Sequence, residues 1–221
     1  MFFIAPGGYS LPMRYARARF WTAIILAAGV WLAALILGGG GSEHDEALRR
    51  WLYAADDAVL ARNAMLLSWL GRGMVLMPLA LAAAVFLYFR RRIRAALLLI
   101  LVFGGRLAVE LQKMVIGRAR PGVDEHLEMV QTLSFPSGHA ANATITYMAI
   151  ALLVPVKQRN RAISVGLGLA LALQAGWSRV ALGVHWPSDV IGGWAFGLFW
   201  VALCMRLASA RPEGEPGGAA R

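Results

Sequence analysis

A histidine and an aspartate stand four residues apart near the end of residues 178–189. On a helix or a helical turn, this spacing places His185 and Asp189 on one face. Pro187 suits the first turn of such a helix. A carboxylate bonded to one imidazole nitrogen fixes the tautomer and makes the other nitrogen a better nucleophile. A neutral imidazole held in this way can attack phosphorus and form a phosphohistidine.

Three basic residues occur close to polar motifs in the same part of the chain, namely Lys113, Arg120 and Arg179. The guanidinium group of arginine offers a rigid fork of donors that suits phosphate oxygens, and lysine adds a point charge. A cluster of three cations needs an anionic ligand to be tolerated. These side chains therefore predict an anion-binding site.

The segment Pro136-Ser137-Gly138-His139 predicts the start of a helix. Free backbone N–H groups at a helix N-terminus bind anions, and Gly138 lets a ligand approach the backbone closely. The hydroxyl of Ser137 adds a donor, and His139 can protonate a leaving oxygen and later activate water. Phosphoryl transfer depends mainly on positioning and charge stabilisation, so these residues together predict that chemistry.

Hydrophobic helices must position these residues, because 59% of the chain is hydrophobic against roughly 45–50% in soluble domains. A membrane span needs about 20 mostly apolar residues. We predict an all-α polytopic membrane protein with about six transmembrane helices. The predicted spans are residues 20–37, 74–89, 93–112, 139–156, 162–181 and 190–207.

The remaining segments connect or flank these spans. Residues 43–72 mix aromatic, apolar and charged positions, which predicts a partly interfacial helix. The first apolar run is longer than a usual signal-peptide core and precedes no clear cleavage site, so we expect an uncleaved span. We predict one transmembrane domain over residues 1–210 and a disordered tail over residues 211–221. The single cysteine, Cys204, excludes a disulfide within the chain.

Basic residues cluster in short segments on one side of the predicted membrane, before residue 20 and around residues 90–94, 157–161 and 206–211. The positive-inside rule makes that side cytoplasmic. The loops 38–73, 113–138 and 182–189 then lie on the other side, together with all the candidate site residues. We therefore expect a bacterial inner-membrane protein with cytoplasmic termini and a periplasmic site.

The net charge of +10 raises the question of nucleic-acid binding. No stretch of the sequence interleaves aromatic residues with a long basic patch, so we expect no nucleic-acid partner. No Asp/Glu/His cluster at metal-ligand spacing stands near the two polar loops, which agrees with a site that has no metal or other cofactor. The expected partners are a lipid phosphate substrate and membrane lipids, and the oligomeric state stays open.

The polar motifs resemble the type-2 phosphatidic acid phosphatase superfamily, which also includes the vanadium haloperoxidases. The signatures Lys-x6-Arg-Pro, Pro-Ser-Gly-His and Ser-Arg-x5-His-x3-Asp occur here without a gap or substitution, at residues 113–121, 136–139 and 178–189. The resemblance implies that His185 is the nucleophile, Asp189 its partner and His139 the general acid. It implies a phosphate-binding set made of the other signature residues, Lys113, Arg120, Ser137, Gly138 and Arg179, and a mechanism without metal.

The resemblance leaves the substrate open among undecaprenyl diphosphate, phosphatidylglycerol phosphate, phosphatidic acid and a lipid A phosphate. A vanadate-dependent haloperoxidase is an alternative, although such enzymes are generally soluble and six spans argue against it. A transporter with a phosphate-like site is another, because Arg106 and Glu110 are intramembrane charges. Transport should survive His185→Ala, whereas hydrolysis should not.

Some charged residues are expected to lie outside the site. We assign Arg118 to contact with lipid headgroups, with a contact to substrate as the alternative. We assign His44, with Glu43 and Asp45, to a plain linker. Arg106 and Glu110 stand at i,i+4 and are expected to neutralise each other within the bundle, with orientation of Lys113 by Glu110 as the alternative.

Overall fold

The computed structural model describes residues 3–4, 10–11, 13–39, 42–55, 57–122 and 126–209. The predicted tail, residues 211–221, lies outside these ranges. Near the N-terminus, the two-residue strands β1 (Phe3–Ile4) and β2 (Ser10–Leu11) pair antiparallel. All the other regular elements in the described ranges are helical, which confirms the prediction of an all-α protein.

Nine α-helices make up the described part of the chain, joined in two places by short 3₁₀ or π segments. A 3₁₀ turn (Trp69–Gly71) precedes α4, and a π segment (Ile100–Gly104) joins α5 to α6. The α-helices are α1 (Met13–Leu37), α2 (Glu43–Leu52), α3 (Ala58–Ser68), α4 (Gly73–Arg90), α5 (Arg92–Leu99), α6 (Gly105–Ile116), α7 (Gly138–Leu153), α8 (Gln158–Ala181) and α9 (Pro187–Ser209).

Within the described residues, five helical segments are long and apolar enough to cross a membrane. Many large apolar side chains on these segments point outward, as lipid-facing residues do; Ile25, Phe89 and Val115 are examples. The five segments are Phe20–Leu37, Ala58–Arg90, Arg92–Ile116, Gln158–Ala181 and Pro187–Ser209. Each contains one of the predicted spans.

The remaining predicted span corresponds to α7, which has 16 residues. At about 1.5 Å of rise per residue it is ~24 Å long, short of the ~30 Å of hydrocarbon in a typical bilayer. Helix α7 is buried along almost its whole length and packs against α8 and α9. Its surroundings are therefore protein, which explains why its sequence needs no lipid-facing stripe.

Glycines allow α9 to approach α7 closely. A Cβ atom on Gly193 would lie 2.8 Å from the carbonyl oxygen of Ser137, and one on Gly197 would lie 2.7 Å from the Cβ of Thr144. Such distances are too short for any side chain. The close packing therefore occurs within the chain and brings the first turns of α7 and α9 together.

The segment predicted as one interfacial helix, residues 43–72, forms two helices and a 3₁₀ turn. Ser42 caps α2 by accepting from the backbone N–H of Asp45 at 3.3 Å. Asp57 caps α3 by accepting from the N–H groups of Val59 and Leu60, at 2.9 Å each. Side chains that accept hydrogen bonds at a helix start stabilise it there, so these caps explain the division.

Candidate active site

The ends of four helices meet two loops at one end of the bundle. Loop 117–137 joins α6 to α7, and loop 182–186 joins α8 to α9. The backbone N–H of Ser137 donates to the carbonyl oxygen of Asp189 at 2.9 Å, which ties the start of α7 to the start of α9. The Lys113 ammonium, on the last turns of α6, is next to the backbone of Gly138. All the predicted site residues lie at this end.

His185 and Asp189 are in direct contact. The Nδ1 atom of His185 lies 3.2 Å from Oδ2 of Asp189, and both side chains are buried, with 2% and 0% of their areas exposed. An ionised carboxylate only accepts hydrogen bonds, so the Nδ1–H must donate. Nε2 is then the imidazole nitrogen that carries the free lone pair, as a nucleophile requires.

Asp189 is held by a set of donors at the N-terminal turn of α9, which starts at Pro187 as predicted. Its Oδ2 accepts from the Ser134 hydroxyl and from the backbone N–H of Trp186, the latter at 3.0 Å. Its Oδ1 accepts from Arg118 at 3.0 Å. These contacts fix the carboxylate on both oxygens before any substrate binds.

The electrostatic environment keeps His185 uncharged. Burial, followed by the positive charges of Arg120, Arg179 and Lys113, holds the pKa of His185 well below its ordinary value of 6.5. The group is therefore a neutral imidazole at neutral pH. The surrounding cations disfavour a further positive charge on this ring.

Arg120 fixes the loop that carries the nucleophile. Its Nε donates to the carbonyl oxygen of Thr132, its Nη2 donates to the Thr132 hydroxyl at 2.9 Å, and its Nη1 donates to the carbonyl oxygen of Val184. Burial and then the charge of Arg179 lower the pKa of Arg120 to about 10. The residue is still a cation at neutral pH, and it braces the residue just before His185.

Three predicted site residues carry buried polar atoms without a hydrogen-bond partner in the described part of the chain. They are Oγ of Ser137, Nε2 of His139 and Nε of Arg179. A buried polar atom without a partner costs free energy, so a set of them at one site indicates that a polar ligand binds there. An anion with several oxygen atoms would supply the acceptors that Ser137 and Arg179 lack.

The position of His139 depends on a close approach by Gly71. A Cβ atom at Gly71 would lie 2.8 Å from both Cβ and Cδ2 of His139. Glycine is thus required for the His139 ring to lie where it does, against the 3₁₀ turn that precedes α4.

Known proteins are similar to this chain. The PAP2 superfamily model matches residues 94–213, more than half of the chain. Phosphatidylglycerophosphatase B of Bacillus subtilis (strain 168) is 34% identical over 76% of this chain and 84% of its own length. The chain belongs to the PAP2 superfamily. This confirms the resemblance to type-2 phosphatidic acid phosphatases that the three motifs carry.

Further similarities extend over most of this PAP2 protein. A lipid A 1-phosphatase of Rhizobium johnstonii is 38% identical over 73% of this chain and 69% of its own length. The crystal structure of a transmembrane PAP2 type phosphatidylglycerolphosphate phosphatase from Bacillus subtilis superimposes with a TM-score of 0.74 and 27% identity, covering 86% of this chain and 95% of that one. With its five apolar segments, the PAP2 chain is an integral membrane protein.

The assignment of Arg118 to lipid headgroups was wrong. Its guanidinium pairs with Asp189, donates to the Ser188 hydroxyl at 3.0 Å and donates to the carbonyl oxygens of Ala34 and Leu35 at the end of α1. The C-terminal end of a helix carries partial negative charge, which favours a cation there. Arg118 therefore joins the first span to the carboxylate that orients the nucleophile.

The assignment of Asp45 to a linker was also wrong. Its buried carboxylate accepts from the backbone N–H and the hydroxyl of Ser188, at 2.9 and 2.5 Å, and from the N–H of Gly39 at 2.7 Å. Asp45 thus fixes the residue next to Asp189. Sequence reasoning missed it because the contact spans 143 positions.

The expected ion pair between Arg106 and Glu110 does not form, since no bridge within 4 Å joins these two described side chains. The Arg106 guanidinium instead lies beside Gly73, at the start of α4. Glu110 contributes to the electrostatic surroundings of Lys113. Among the described residues, no group of three His, Cys, Asp or Glu side chains could hold a metal ion.

The lowered pKa of His185 predicts where activity is lost in acid. Protonation of a nucleophile abolishes attack, so the acidic limb of kcat/KM that belongs to His185 should lie well below pH 6.5. A phosphomonoester substrate also titrates near pH ~6. Comparing two substrates whose phosphates have different second pKa values separates ionisation of the substrate from ionisation of His185. A limb caused by the substrate shifts with the pKa of the substrate. A His185 limb at or above pH 6.5 would contradict the prediction.

The lowered pKa of His185 also makes the stability of the folded protein depend on pH. Below pH 6.5 the unfolded chain takes up a proton on this histidine and the folded chain does not, so stability falls as the pH falls. The rate at each pH should therefore be accompanied by a thermal unfolding measurement.

Proposed function

We propose that this PAP2 protein hydrolyses a lipid phosphomonoester or diphosphate through a phosphohistidine on His185. The observation that carries the proposal is the buried His185–Asp189 pair beside cations and unpartnered donors. The neutral imidazole supplies the nucleophile, and the surrounding positive charge supplies the attraction for phosphate. The site lies at the ends of membrane-spanning segments, which favours a lipid as the group that carries the phosphate.

In the first step, Nε2 of His185 attacks the terminal phosphorus, and the bond from that phosphorus to the leaving oxygen breaks. The leaving oxygen is the lipid oxygen of a monoester or the bridging oxygen of a diphosphate. His139 donates a proton to that oxygen, so the lipid leaves as an alcohol, or as a monophosphate when the substrate is a diphosphate. Burial and the charge of Arg179 lower the pKa of His139 to about 2, and the negative charge of the bound phosphate must offset them to give the protonated form that this step needs. Asp189 accepts a hydrogen bond from the imidazole, whose positive charge grows as the P–N bond forms.

In the second step, water attacks the phosphohistidine. His139 takes a proton from the water, the P–N bond breaks, and inorganic phosphate leaves with His185 neutral again. Lys113, Arg120 and Arg179 provide positive charge around the phosphoryl oxygens, with the backbone at Gly138 and the hydroxyl of Ser137 as further donors. The roles need no metal ion.

We place this site on the extracytoplasmic face of a bacterial inner membrane. The basic residues around 90–94 and 157–161 lie at the ends of α4, α5 and α8, away from the site, which supports a periplasmic active site under the positive-inside rule. Cysteine labelling from outside intact cells tests the orientation. A cysteine placed in loop 126–133 should be labelled, and one placed at Lys157 should not.

Phosphate release from a panel of purified lipid phosphates tests the function. The relatives named above are a phosphatidylglycerophosphatase and a lipid A 1-phosphatase, so those substrates head the panel, with phosphatidic acid and undecaprenyl diphosphate beside them. We expect hydrolysis of at least one, unchanged by a chelator and inhibited by vanadate. Activity lost on chelation and restored by a divalent ion would refute the metal-free mechanism. No release from any lipid would refute the function.

A further inference from the structure

A carboxylate lies among the cations of the site, although no signature motif contains it. Oε2 of Glu128 is 2.5 Å from Nη1 of Arg179, and its Oε1 is 2.8 Å from Nη2 of Arg72. The Ser68 hydroxyl accepts from the same Nη1 at 2.6 Å and donates to Oε2 of Glu128 at 3.3 Å. We call these four side chains the Glu128 bridge.

The Glu128 bridge joins the connection between α3 and α4 to loop 117–137 and to α8. Ser68 ends α3, Arg72 precedes α4, Glu128 belongs to loop 117–137, and Arg179 lies near the end of α8. Arg72 also stacks on Trp69, with Cζ 4.3 Å from the ring centroid. Its members are thus anchored from several directions, and loop 117–137 is fixed where it crosses the site.

The Glu128 bridge binds Nη1 of the Arg179 guanidinium and leaves Nε available for a ligand. Nη1 has two partners, whereas the buried Nε has none. Arginine binds phosphate best through two parallel N–H groups, which requires the plane of the fork to be fixed. A guanidinium held at Nη1 keeps its Nε edge in one orientation and pays less entropy when phosphate binds.

Glu128 must carry a negative charge to hold the Arg179 guanidinium in place. Burial by itself would raise its pKa, but the charges of Arg179 and Arg72 outweigh burial, and the pKa is lowered. Glu128 is therefore a carboxylate at neutral pH. Only 1% of the Arg179 side chain is exposed, so its charge would be buried without an ionic partner if Glu128 were absent.

We propose that Glu128 is a positioning residue that orients Arg179 for bidentate binding of the substrate phosphate. The proposal rests on the function proposed above. It assigns Glu128 no contact with the reacting atoms, because its oxygens already bind the two arginines. In the same proposal, the Ser68 hydroxyl also helps to orient Arg179, but contributes less than Glu128.

The test compares Glu128→Gln with Glu46→Gln. Glu46 is a matched control, because it too pairs with two arginines, Arg49 and Arg50, and is similarly exposed, at 32% against 23%. We expect Glu128→Gln to lower kcat/KM about 10- to 100-fold, the range for losing a hydrogen bond to a charged group. The inhibition constant of vanadate should rise in parallel. Glu46→Gln should change neither quantity by more than about twofold.

Coupling to Arg179 separates orientation from general support of the fold. In an Arg179→Lys background the fork is absent, so Glu128→Gln should cost much less there than in the unmodified protein. Equal losses in both backgrounds would overturn the proposal, as would unchanged kcat/KM and vanadate inhibition in Glu128→Gln.

A milder variant guards against unfolding. If thermal unfolding shows that Glu128→Gln does not fold, Ser68→Ala keeps the carboxylate and removes one partner of Nη1. Its loss of kcat/KM should be smaller and should also shrink in the Arg179→Lys background. Failure of this coupling would overturn the proposal. Absence of hydrolysis by the unmodified protein would instead refute the proposed function.

Discussion

His185→Ala is expected to abolish phosphate release from every lipid phosphate without unfolding the protein. The substitution removes the nucleophile, whereas Asp189 keeps its contacts with Ser134, Arg118 and the backbone of Trp186. Loss of a general acid or base alone costs ~10²–10⁴-fold, so a missing nucleophile should cost more than 100-fold. Phosphate release under saturating substrate measures the effect.

His44→Ala is the matched control, since His44 is an exposed histidine on α2. It should keep the rate of the unmodified protein, and thermal unfolding should be similar for both variants. Turnover by His185→Ala above about a hundredth of that rate would place the nucleophile elsewhere. Transport of a phosphate compound that persists in this variant would favour the transporter alternative.

His139→Ala is expected to slow hydrolysis of lipid phosphates by ~10²–10⁴-fold. The lipid alkoxide is a poor leaving group and needs the proton that His139 donates. A nitrophenolate leaves without protonation, so the loss on p-nitrophenyl phosphate should be clearly smaller at the step in which the phosphohistidine forms. Burst-phase measurements separate that step from hydrolysis of the intermediate.

The comparison between the two substrates decides the role of His139. Equal losses of the first step on both would show that the residue positions phosphate and is not the acid for the leaving group. Gly71→Ala should produce a weaker form of the same pattern, because its Cβ would displace the His139 ring. The His44→Ala variant again serves as the control.

The fold was predictable because membrane helices have a strong signal in the sequence. An apolar run of about 20 residues has few alternatives to a helix that spans the bilayer. Helix α7 shows where this reasoning becomes imprecise, since its 16 residues are surrounded by protein rather than lipid. The division of residues 43–72 was missed, although the caps Ser42 and Asp57 were visible as helix-start residues.

The motif residues were predictable, and their supporting partners were not. His185 and Asp189 are four positions apart, a separation that local geometry can interpret. Arg118 reaches Asp189 across 71 positions, and Glu128 reaches Arg179 across 51. No local rule connects such positions, so a cation in an outer loop was assigned to headgroups and an acidic residue in the same loop was not noticed.

The ion pair predicted between Arg106 and Glu110 is an error of the opposite kind, because a local rule predicted a contact that does not form. Their i,i+4 separation favours an ion pair on an isolated helix by only ~0.2–0.5 kcal/mol. The space beside Gly73 takes up the Arg106 side chain instead. Such a small local preference is easily overridden by packing between helices, so spacing alone does not establish a pair.

The contacts of Arg118 also indicate which residues a shortened or grafted version of this protein must keep. The family model covers residues 94–213, yet Arg118 is bonded to carbonyls of Ala34 and Leu35, and Ser188 is bonded to Asp45. A chain reduced to the family region would keep every signature residue and lose these supports. For protein engineers, the N-terminal helices are therefore not interchangeable anchors: grafting the motifs onto another membrane scaffold means transplanting the end of the first helix as well.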